Sequence, residues 1–287
     1  MNDLNNYIRK SMQRRNNRPE PDFEGYSAIE MEFILWNVFS KESPIQLQKL
    51  TKKDYSEIPL LNQIKYLTKL IAESGELKLT KKGFLQRKIV RDIYAQGFLK
   101  DKLIELDNSK IYKELDSQTI NLTRNIIEMS RLVKKRHGKL SLTKKGEKII
   151  ADDYKLLKKI FTTYTQKFNW AYYDGYKNED IAQLGFGFSL ILLSKYGDKK
   201  RRDDFYANKY FKAYPAIFKN NPTNDSISDN DIAKNCYSIR TFDRFLDYFG
   251  LINIEKCGKS WPSDKYITKT DLFDKFIKCL PHKERDF

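Results

Sequence analysis

The sequence predicts a mainly α-helical protein with small β-hairpins, an α+β fold with repeated helix-and-hairpin modules around a helical middle region. Three observations lead to this class. Apolar residues recur at helical spacing, short segments of alternating apolar and polar residues adjoin glycine turns, and the segment Leu-Thr-Lys-Lys-Gly occurs twice.

The composition favours a polyanionic partner. The 287 residues contain 54 Lys and Arg against 38 Asp and Glu, which leaves a net charge of +16. Such an excess favours nucleic acid or an anionic membrane surface. The codon bias of an AT-rich genome also raises the lysine content, so both explanations stay open.

The cysteines and the apolar segments predict a soluble cytoplasmic protein without a membrane partner. Three widely spaced cysteines, Cys236, Cys257 and Cys279, do not suggest a secreted disulfide framework and are expected to be buried thiols. The opening residues lack the apolar core of a signal peptide, and the longest apolar stretch, 181–194, is too short to cross a bilayer.

Helical spacing is followed by a strand in the first predicted module. Apolar residues from Leu60 to Ile71 form a helical face, and Gly75 is expected to end that helix. The alternating segment Leu77-Lys78-Leu79 then predicts a strand.

A repeated segment is the most informative feature. L-K-L-T-K-K-G at 77–83 returns as L-S-L-T-K-K-G at 140–146, and a weaker echo, Y-I-T-K-T, stands at 266–270. The threonine can cap the next helix, and the glycine permits close packing or an unusual backbone angle. We expect equivalent corners that each close a hairpin and start a helix. The residues that define the two strong copies are Leu79, Thr80, Gly83, Leu142, Thr143 and Gly146.

The second copy predicts a complete module. A helix face from Ile120 to Ser130 precedes the strand 132–136, the turn His137-Gly138 and the return strand 139–143. A helix, a two-stranded wing and a threonine-capped helix follow one another in a winged helix. The basic tip is a candidate nucleic-acid contact, with a solvated hairpin as the alternative. Its candidate residues are Lys134, Lys135, Arg136, His137 and Lys139.

The C-terminal region reads as a helix-turn-helix. A first helix leads to a turn at Tyr237-Ser238, and the helix 239–249 carries phenylalanines at helical spacing. Arg240, Thr241 and Arg244 lie off this apolar face, where a recognition helix presents side chains to a major groove. Two acids on the same surface, at 243 and 247, would repel phosphate.

The remaining segments are a basic N-terminal arm, either mobile or a frayed helix, and an aromatic-rich middle. In the middle, aromatic residues at helical spacing favour a core, with base stacking as the alternative. The densest positive cluster, Lys199, Lys200, Arg201 and Arg202, is the best single phosphate candidate. The predicted organisation is a basic flexible arm at 1–26, two winged-helix-like units at 27–155, an aromatic-rich helical region at 156–222 and a winged-helix-like unit at 223–287.

The Leu-Thr-Lys-Lys-Gly segment resembles the L-T-x-x-G junction between wing and helix in winged-helix regulators of the MarR and PadR kind. The region 27–155 also resembles a bacterial family of uncharacterised function, in which a helix, an F-x-x-x-S-P segment (here Phe39 to Pro44) and two L-T-x-x-G units follow in that order. This resemblance implies no activity and no site residues.

Catalytic motifs do not stand out. We find no glycine-rich phosphate loop, nucleophile elbow or H-E-x-x-H segment, and the chain has two histidines. We therefore expect a non-enzymatic protein without cofactor or metal. The leading hypothesis is binding to double-stranded DNA through basic wings and a recognition-type helix. The alternative is a protein-interaction or scaffold module that does not bind nucleic acid.

Overall fold

A computed structural model describes residues 2–101, 104–105, 113–219, 226–257 and 264–283. The chain forms two compact units. The central unit contains Lys49–Asp174 and Tyr248–Gly250. The discontinuous unit contains Met1–Gln48, Gly175–Asp247 and Leu251–Phe287.

Helices make up most of the described residues, and the strands are short. The α-helices are α1 (Asn2–Asn16), α2 (Ala28–Trp36), α3 (Lys52–Ser56), α4 (Pro59–Ser74), α5 (Arg87–Ala95), α6 (Gln118–Met129), α7 (Lys144–Ile150), α8 (Asp153–Gln166), α9 (Phe186–Tyr196), α10 (Asp203–Ala213), α11 (Pro215–Lys219), α12 (Ser226–Ser238) and α13 (Asp271–Phe276). A π-helix, Ile239–Leu246, continues α12. The strands are β1 (Ile45–Leu47), β2 (Leu77–Lys78), β3 (Val133–Arg136), β4 (Lys139–Leu142), β5 (Arg201–Arg202), β6 (Ile252–Cys257), β7 (Asp264–Lys269) and β8 (Ile277–Cys279). The predicted α+β class is confirmed.

The central unit combines a helical core with one antiparallel sheet. The strand order is β2-β4-β3, and α4, α6 and α8 pack against one another. Leu77, Val133 and Leu140 are buried, while Lys78 and Lys134 on the same strands are exposed. This period of two places one face of the sheet on the core and the other in water. Gly75, at φ 68°, ends α4 as the sequence predicts.

The discontinuous unit contains a second three-stranded antiparallel sheet, in the order β5-β7-β6. Its helix α9 is buried from Phe186 to Leu193, which agrees with the apolar run in the sequence. Gly187 lets α9 approach α2 closely, because an added Cβ would lie 2.8 Å from the backbone oxygen of Ile34. The strands β1 and β8 pair in a separate antiparallel ribbon.

The two units share one order of elements and one sheet register. Each has a helix, a strand, a helix, a helix and two further strands, with α11 as an addition in the discontinuous unit. Leu77 of β2 lies opposite Leu140, and Arg201 of β5 lies opposite Ile267. The two pairs are equivalent. In each, the first residue of a two-residue strand pairs with a residue at the same distance along the chain from the helix that follows the sheet, which is α7 in one unit and α13 in the other.

The same correspondence holds at the end of each sheet. Thr143 donates its backbone N–H to the oxygen of Leu132 (2.9 Å), and Thr270 donates its N–H to the oxygen of Leu251 (3.1 Å). Each threonine is the N-cap of the next helix. The weak echo near the C-terminus therefore corresponds to the second copy with Thr270, and not Thr268, at the capping position.

The two strong copies are not equivalent corners. They lie side by side in one sheet, where β2 pairs with β4, although the repeated text predicts that they belong to separate units. Thr143 caps α7, and Gly146 lies inside that helix. Thr80 instead accepts a hydrogen bond from the N–H of Phe84 (3.1 Å) in a tight turn with Gly83 at φ 81°.

The residues after each copy explain the difference. After the first copy comes Leu85, which is 1% exposed and bridges back to Leu79, so the chain turns towards the core before α5 begins. After the second copy come Glu147 and Lys148, which are exposed and continue the helix. Five identical residues do not encode this difference.

Residues 2–16 of the predicted arm form helix α1. One further expectation differs from the structure. The predicted recognition helix 239–249 is largely a π-helix, whose i→i+5 hydrogen bonds place more residues in each turn than an α-helix has. The phenylalanines of the predicted apolar face are buried, but Arg240 and Thr241, which the sequence predicts on the exposed side, are buried with them.

Candidate nucleic-acid interface

The hairpin of β3 and β4 projects basic side chains into solvent. Its turn, His137-Gly138, has positive φ at both residues, 47° and 68°. Two such residues form the tight hairpin turn that matches the twist of the strands. Lys134, Lys135 and Arg136 are exposed on the first strand, as the sequence predicts for this tip.

The register of the sheet aligns three cations in one row. Lys78 of β2 lies opposite Lys139 of β4, which lies opposite Arg136 of β3. Residues that lie directly opposite project from the same face, and like charges there are destabilising. Lys134 shares this face, where its opposite residue is Ser141. The row thus concentrates positive charge on the outer face of the sheet.

The turn of the first copy adds two lysines. The N–H of Leu79 donates to the oxygen of Gly138 (2.8 Å), and Lys135 Nζ donates to the oxygen of Gly83 (3.4 Å). These bonds hold the turn beside the tip of the hairpin, so the exposed Lys81 and Lys82 lie next to it. We call this surface the basic hairpin; it comprises Lys78, Lys81, Lys82, Lys134, Lys135, Arg136, His137 and Lys139.

Little negative charge balances the basic hairpin. Lys139 Nζ pairs with Glu76 Oε2 at 2.5 Å, and both side chains are well exposed. The hydrogen bond and charge of Lys139, and then the charges of Lys134 and His137, hold the pKa of Glu76 below its ordinary value. Within the described ranges, no acid pairs with Lys78, Lys134 or Arg136.

The equivalent row of the other sheet is balanced. Arg202 of β5 lies opposite Tyr266 of β7, which lies opposite Glu255 of β6. Lys200 forms an ion pair with Glu255, and its Nζ lies 5.1 Å from the centroid of the Tyr266 ring. Two sheets with one register therefore carry different charge, and the excess lies in the central unit.

The Lys199 to Arg202 cluster is largely engaged within its own unit. Arg201 stacks on Phe205, with the guanidinium carbon 4.5 Å from the ring centroid, and Arg202 Nε lies 3.4 Å from Asp204 Oδ1. Lys199 is exposed. These contacts make the cluster a weaker phosphate candidate than its sequence indicates.

Two predicted recognition residues are buried. Arg240 is 0% exposed and Thr241 1% exposed. Arg240 donates to the backbone oxygens of Asn178 (2.8 Å) and Ile181 (3.1 Å), so it holds a loop of its own unit. These contacts explain the correction, since the backbone oxygens of the loop satisfy a guanidinium that is removed from solvent. Arg244 is partly exposed.

The helix before the basic hairpin is also buried. On α6, Arg124 Nε donates to Glu114 Oε1 (2.6 Å), and Asn121 Nδ2 donates to the same oxygen (2.6 Å). Gln63 of α4 donates to Thr123 Oγ1 (2.8 Å). Polar side chains of α6 therefore bond inside the unit, a role that sequence reasoning missed.

Sequence reasoning also missed Lys78. It is a single lysine in a short strand, and its importance comes from the cross-strand register alone. In contrast, Lys81 and Lys82 stand inside the repeated segment, which is a signal that can be read from the sequence.

The described residues offer neither a metal cluster nor a membrane span. In the part of the chain that the structure describes, no His, Cys, Asp and Glu side chains form a group of three that could hold a metal ion. Among those same residues, no helix combines the length and apolar character needed to span a bilayer.

Part of the central unit matches a known protein family. Residues 56–155 are similar to the family described as Y4jL N-terminal domain. The matched region runs from the end of α3 into α8 and includes the whole basic hairpin. The resemblance to an uncharacterised family is thereby supported over these residues, while the MarR and PadR resemblance stays a prediction. Neither the curated proteins nor the solved structures give a match.

Proposed function

We propose that the protein binds nucleic acid through the phosphate backbone, with the basic hairpin of the central unit as the contact surface. The observation that carries the proposal is the row Lys78–Lys139–Arg136. Three like charges lie directly opposite one another on neighbouring strands, with one exposed acid, Glu76, paired to the row. Such an arrangement opposes folding of the isolated sheet, and phosphates would relieve it.

The order of elements supports this proposal. Both units have a helix, a strand, two helices and a hairpin in this order, with the first strand pairing to the last. This order is compatible with a winged helix and supports the proposal. The hairpin is then the wing, an element that commonly contacts the DNA backbone or minor groove. We infer a tandem of two winged-helix units, of which the central one carries the charge.

The buried helices favour backbone contact over base readout. In a helix-turn-helix, the second helix enters the major groove. Helix α6 holds that place in the central unit, yet its residues from Thr119 to Arg124 are buried. Contacts to phosphates position a protein without reading sequence. The expected ligand is therefore double-stranded DNA bound with little sequence preference.

A salt titration of binding tests the proposal. A labelled 20-bp duplex is titrated with the full chain at several salt concentrations. Four phosphate contacts would give a slope of log K against log salt of about −3.6, from about −0.9 per contact. The hairpin variant, with four neutral substitutions, is expected to bind at least tenfold more weakly and with a shallower slope. Its substitutions are Lys78→Gln, Lys134→Gln, Arg136→Gln and Lys139→Gln.

The control removes the same charge from elsewhere in the central unit. Lys69, Lys100, Lys113 and Lys155 are exposed and each pairs with an acid. Their replacement by glutamine lowers the net charge equally, so it isolates the effect of position. Equal weakening by both variants, or no duplex binding by the wild type at about 20 mM salt, contradicts the proposal.

A protein-interaction module is the second candidate function. The same observation that limits base readout favours it, since α6 and Arg240 are committed to internal contacts. In that case the charge serves solubility. Absence of affinity for duplex and single-stranded probes at low salt would then be the expected result.

A further inference from the structure

A second group of cations lies at the base of the same hairpin. Gly146 of α7 lies against the backbone of Leu132: an added Cβ would be 2.8 Å from the carbonyl carbon and closer still to its oxygen. Thr143 Oγ1 accepts from the N–H of Gly146 (2.8 Å) and donates to the oxygen of Arg131 (2.9 Å). These contacts bring the first turn of α7, which includes Lys145, up to Arg131.

Helix α8 adds two more cations. It packs against α7 and carries Lys159, with Lys167 as the residue at its C-terminal cap. Arg131, Lys145 and Lys167 are exposed, and Lys159 is partly buried. Burial lowers the pKa of Lys159, and the charges of Lys167, Lys145 and Arg131 lower it further. Each of these three charges therefore lies within electrostatic reach of Lys159.

Neighbouring lysines of this layer are neutralised, unlike these four. Lys65 Nζ lies 2.6 Å from Asp153 Oδ1, and Lys155 Nζ lies 3.0 Å from Asp152 Oδ2. Across the described segments of the chain, the structure gives Arg131, Lys145, Lys159 and Lys167 no acidic partner. A cluster of unbalanced cations around a partly buried lysine opposes folding and favours a bound anion.

We propose that Arg131, Lys145, Lys159 and Lys167 form a second phosphate-binding site, which extends the nucleic-acid contact from the basic hairpin to the end of α8. This inference rests on the proposed function. The backbone from Arg131 to Arg136 spans at most roughly 17 Å, since an extended residue adds about 3.3 Å. That length is about half a turn of duplex, so one duplex can reach both sites.

The test compares two variants with the charge-matched control. The base variant carries the substitutions Arg131→Gln, Lys145→Gln, Lys159→Gln and Lys167→Gln. Against a 20-bp duplex, we expect its affinity at 100 mM salt to be at least tenfold below that of the control. Its salt slope should be shallower than that of the wild type by about 0.9 for each phosphate that the variant no longer binds.

The outcomes separate this inference from the proposed function. If the base variant binds like the control while the hairpin variant binds weakly, the second site is refuted and the proposed function stands. If the hairpin variant binds like the wild type and the base variant does not, the second site stands and the hairpin does not bind. Equal binding by all proteins refutes both.

Folding is checked on the same samples by circular dichroism and thermal melting. Lys159 is the member of the cluster whose replacement perturbs packing most. A smaller variant, Lys145→Gln with Lys167→Gln, changes exposed side chains only. It should show about half of the slope difference; an unchanged slope in this folded variant also refutes the second site.

Discussion

Replacing Gly146 by alanine should destabilise the central unit, against the ordinary effect of that change in a helix. Gly146 lies in α7 without a positive φ, so alanine should gain about 1 kcal/mol of helix propensity. The added Cβ, however, would lie 2.8 Å from the carbonyl carbon of Leu132, and this neighbour is backbone. Overpacking of this kind costs about 1–3 kcal/mol and occasionally more. Because the close approach requires a backbone shift, we place the cost at the upper end of this range, which leaves a net loss of about 2 kcal/mol after the gain in helix propensity.

Substitution of Gly83 provides the contrast, because glycine is required there by the backbone conformation and not by close packing. At φ 81°, alanine should cost about 1–2 kcal/mol and asparagine less, because asparagine tolerates left-handed backbone. Its neighbour, the end of the Lys135 side chain, can move away. Asparagine should not rescue position 146. Urea unfolding followed by tryptophan fluorescence, to which the buried Trp170 of the central unit contributes, measures both series. A Gly146→Ala protein as stable as the wild type would refute the packing argument.

Three further results are expected. Glu114→Ala removes the acceptor of three hydrogen bonds and leaves the buried Arg124 with one of its two acidic partners, Glu128. Calorimetry should show a loss of about 2–3 kcal/mol, whereas Lys155→Ala, in an exposed pair, should lose less than about 1 kcal/mol. Lys78→Thr should raise stability by about 0.2–1 kcal/mol, because it removes a like-charge pair, yet weaken duplex binding; a stability loss together with unchanged binding would contradict this. Glu30, 4% exposed, has a pKa that burial raises but that hydrogen bonds from Ser27, His282 and Lys283 lower below the ordinary value. The contribution of ionised Glu30 to the free energy of unfolding is therefore complete above its unfolded pKa of about 4.5, and it is lost as pH falls through its lower pKa in the folded protein. Glu30→Gln should lower the free energy of unfolding by about 2 kcal/mol at pH 7. It should also weaken the dependence of urea unfolding on pH in the acid range.

Helices and hairpins were predictable because each depends on local pattern. The apolar spacing of α4 and α9, the end of α4 at Gly75 and the β3–β4 hairpin follow from sequence periods and turn residues. The basic tip at Lys134 to His137 follows for the same reason. These features need no information about distant residues.

Pairing between distant segments was not predictable in this way. The repeated sequence of 77–83 and 140–146 indicated duplicated modules, whereas the two segments form adjacent strands of one sheet. The correspondence between the units, with Thr143 matched to Thr270, is seen in the hydrogen-bond register. The amino-acid sequences of the two segments show little of it. Lys78 becomes part of the candidate interface through that register alone.

The prediction of a C-terminal recognition helix was wrong for a different physical reason. Its apolar positions fit a period of 3.6 residues, but Ile239–Leu246 winds as a π-helix. Arg240 is buried because a segment distant in sequence supplies the backbone oxygens of Asn178 and Ile181 to its guanidinium. Composition and spacing signal neither the helix type nor this distant contact.

The pairing of β1 with β8 has a consequence for the order of folding during synthesis. The partners of Ile45–Leu47 are Ile277–Cys279, so this ribbon closes only when most of the chain has left the ribosome. The central unit needs mainly one continuous stretch, Lys49–Asp174. Domains generally fold as they emerge from the ribosome, and pairings between distant segments form late. We therefore expect the central unit to fold before strand β1 pairs with β8.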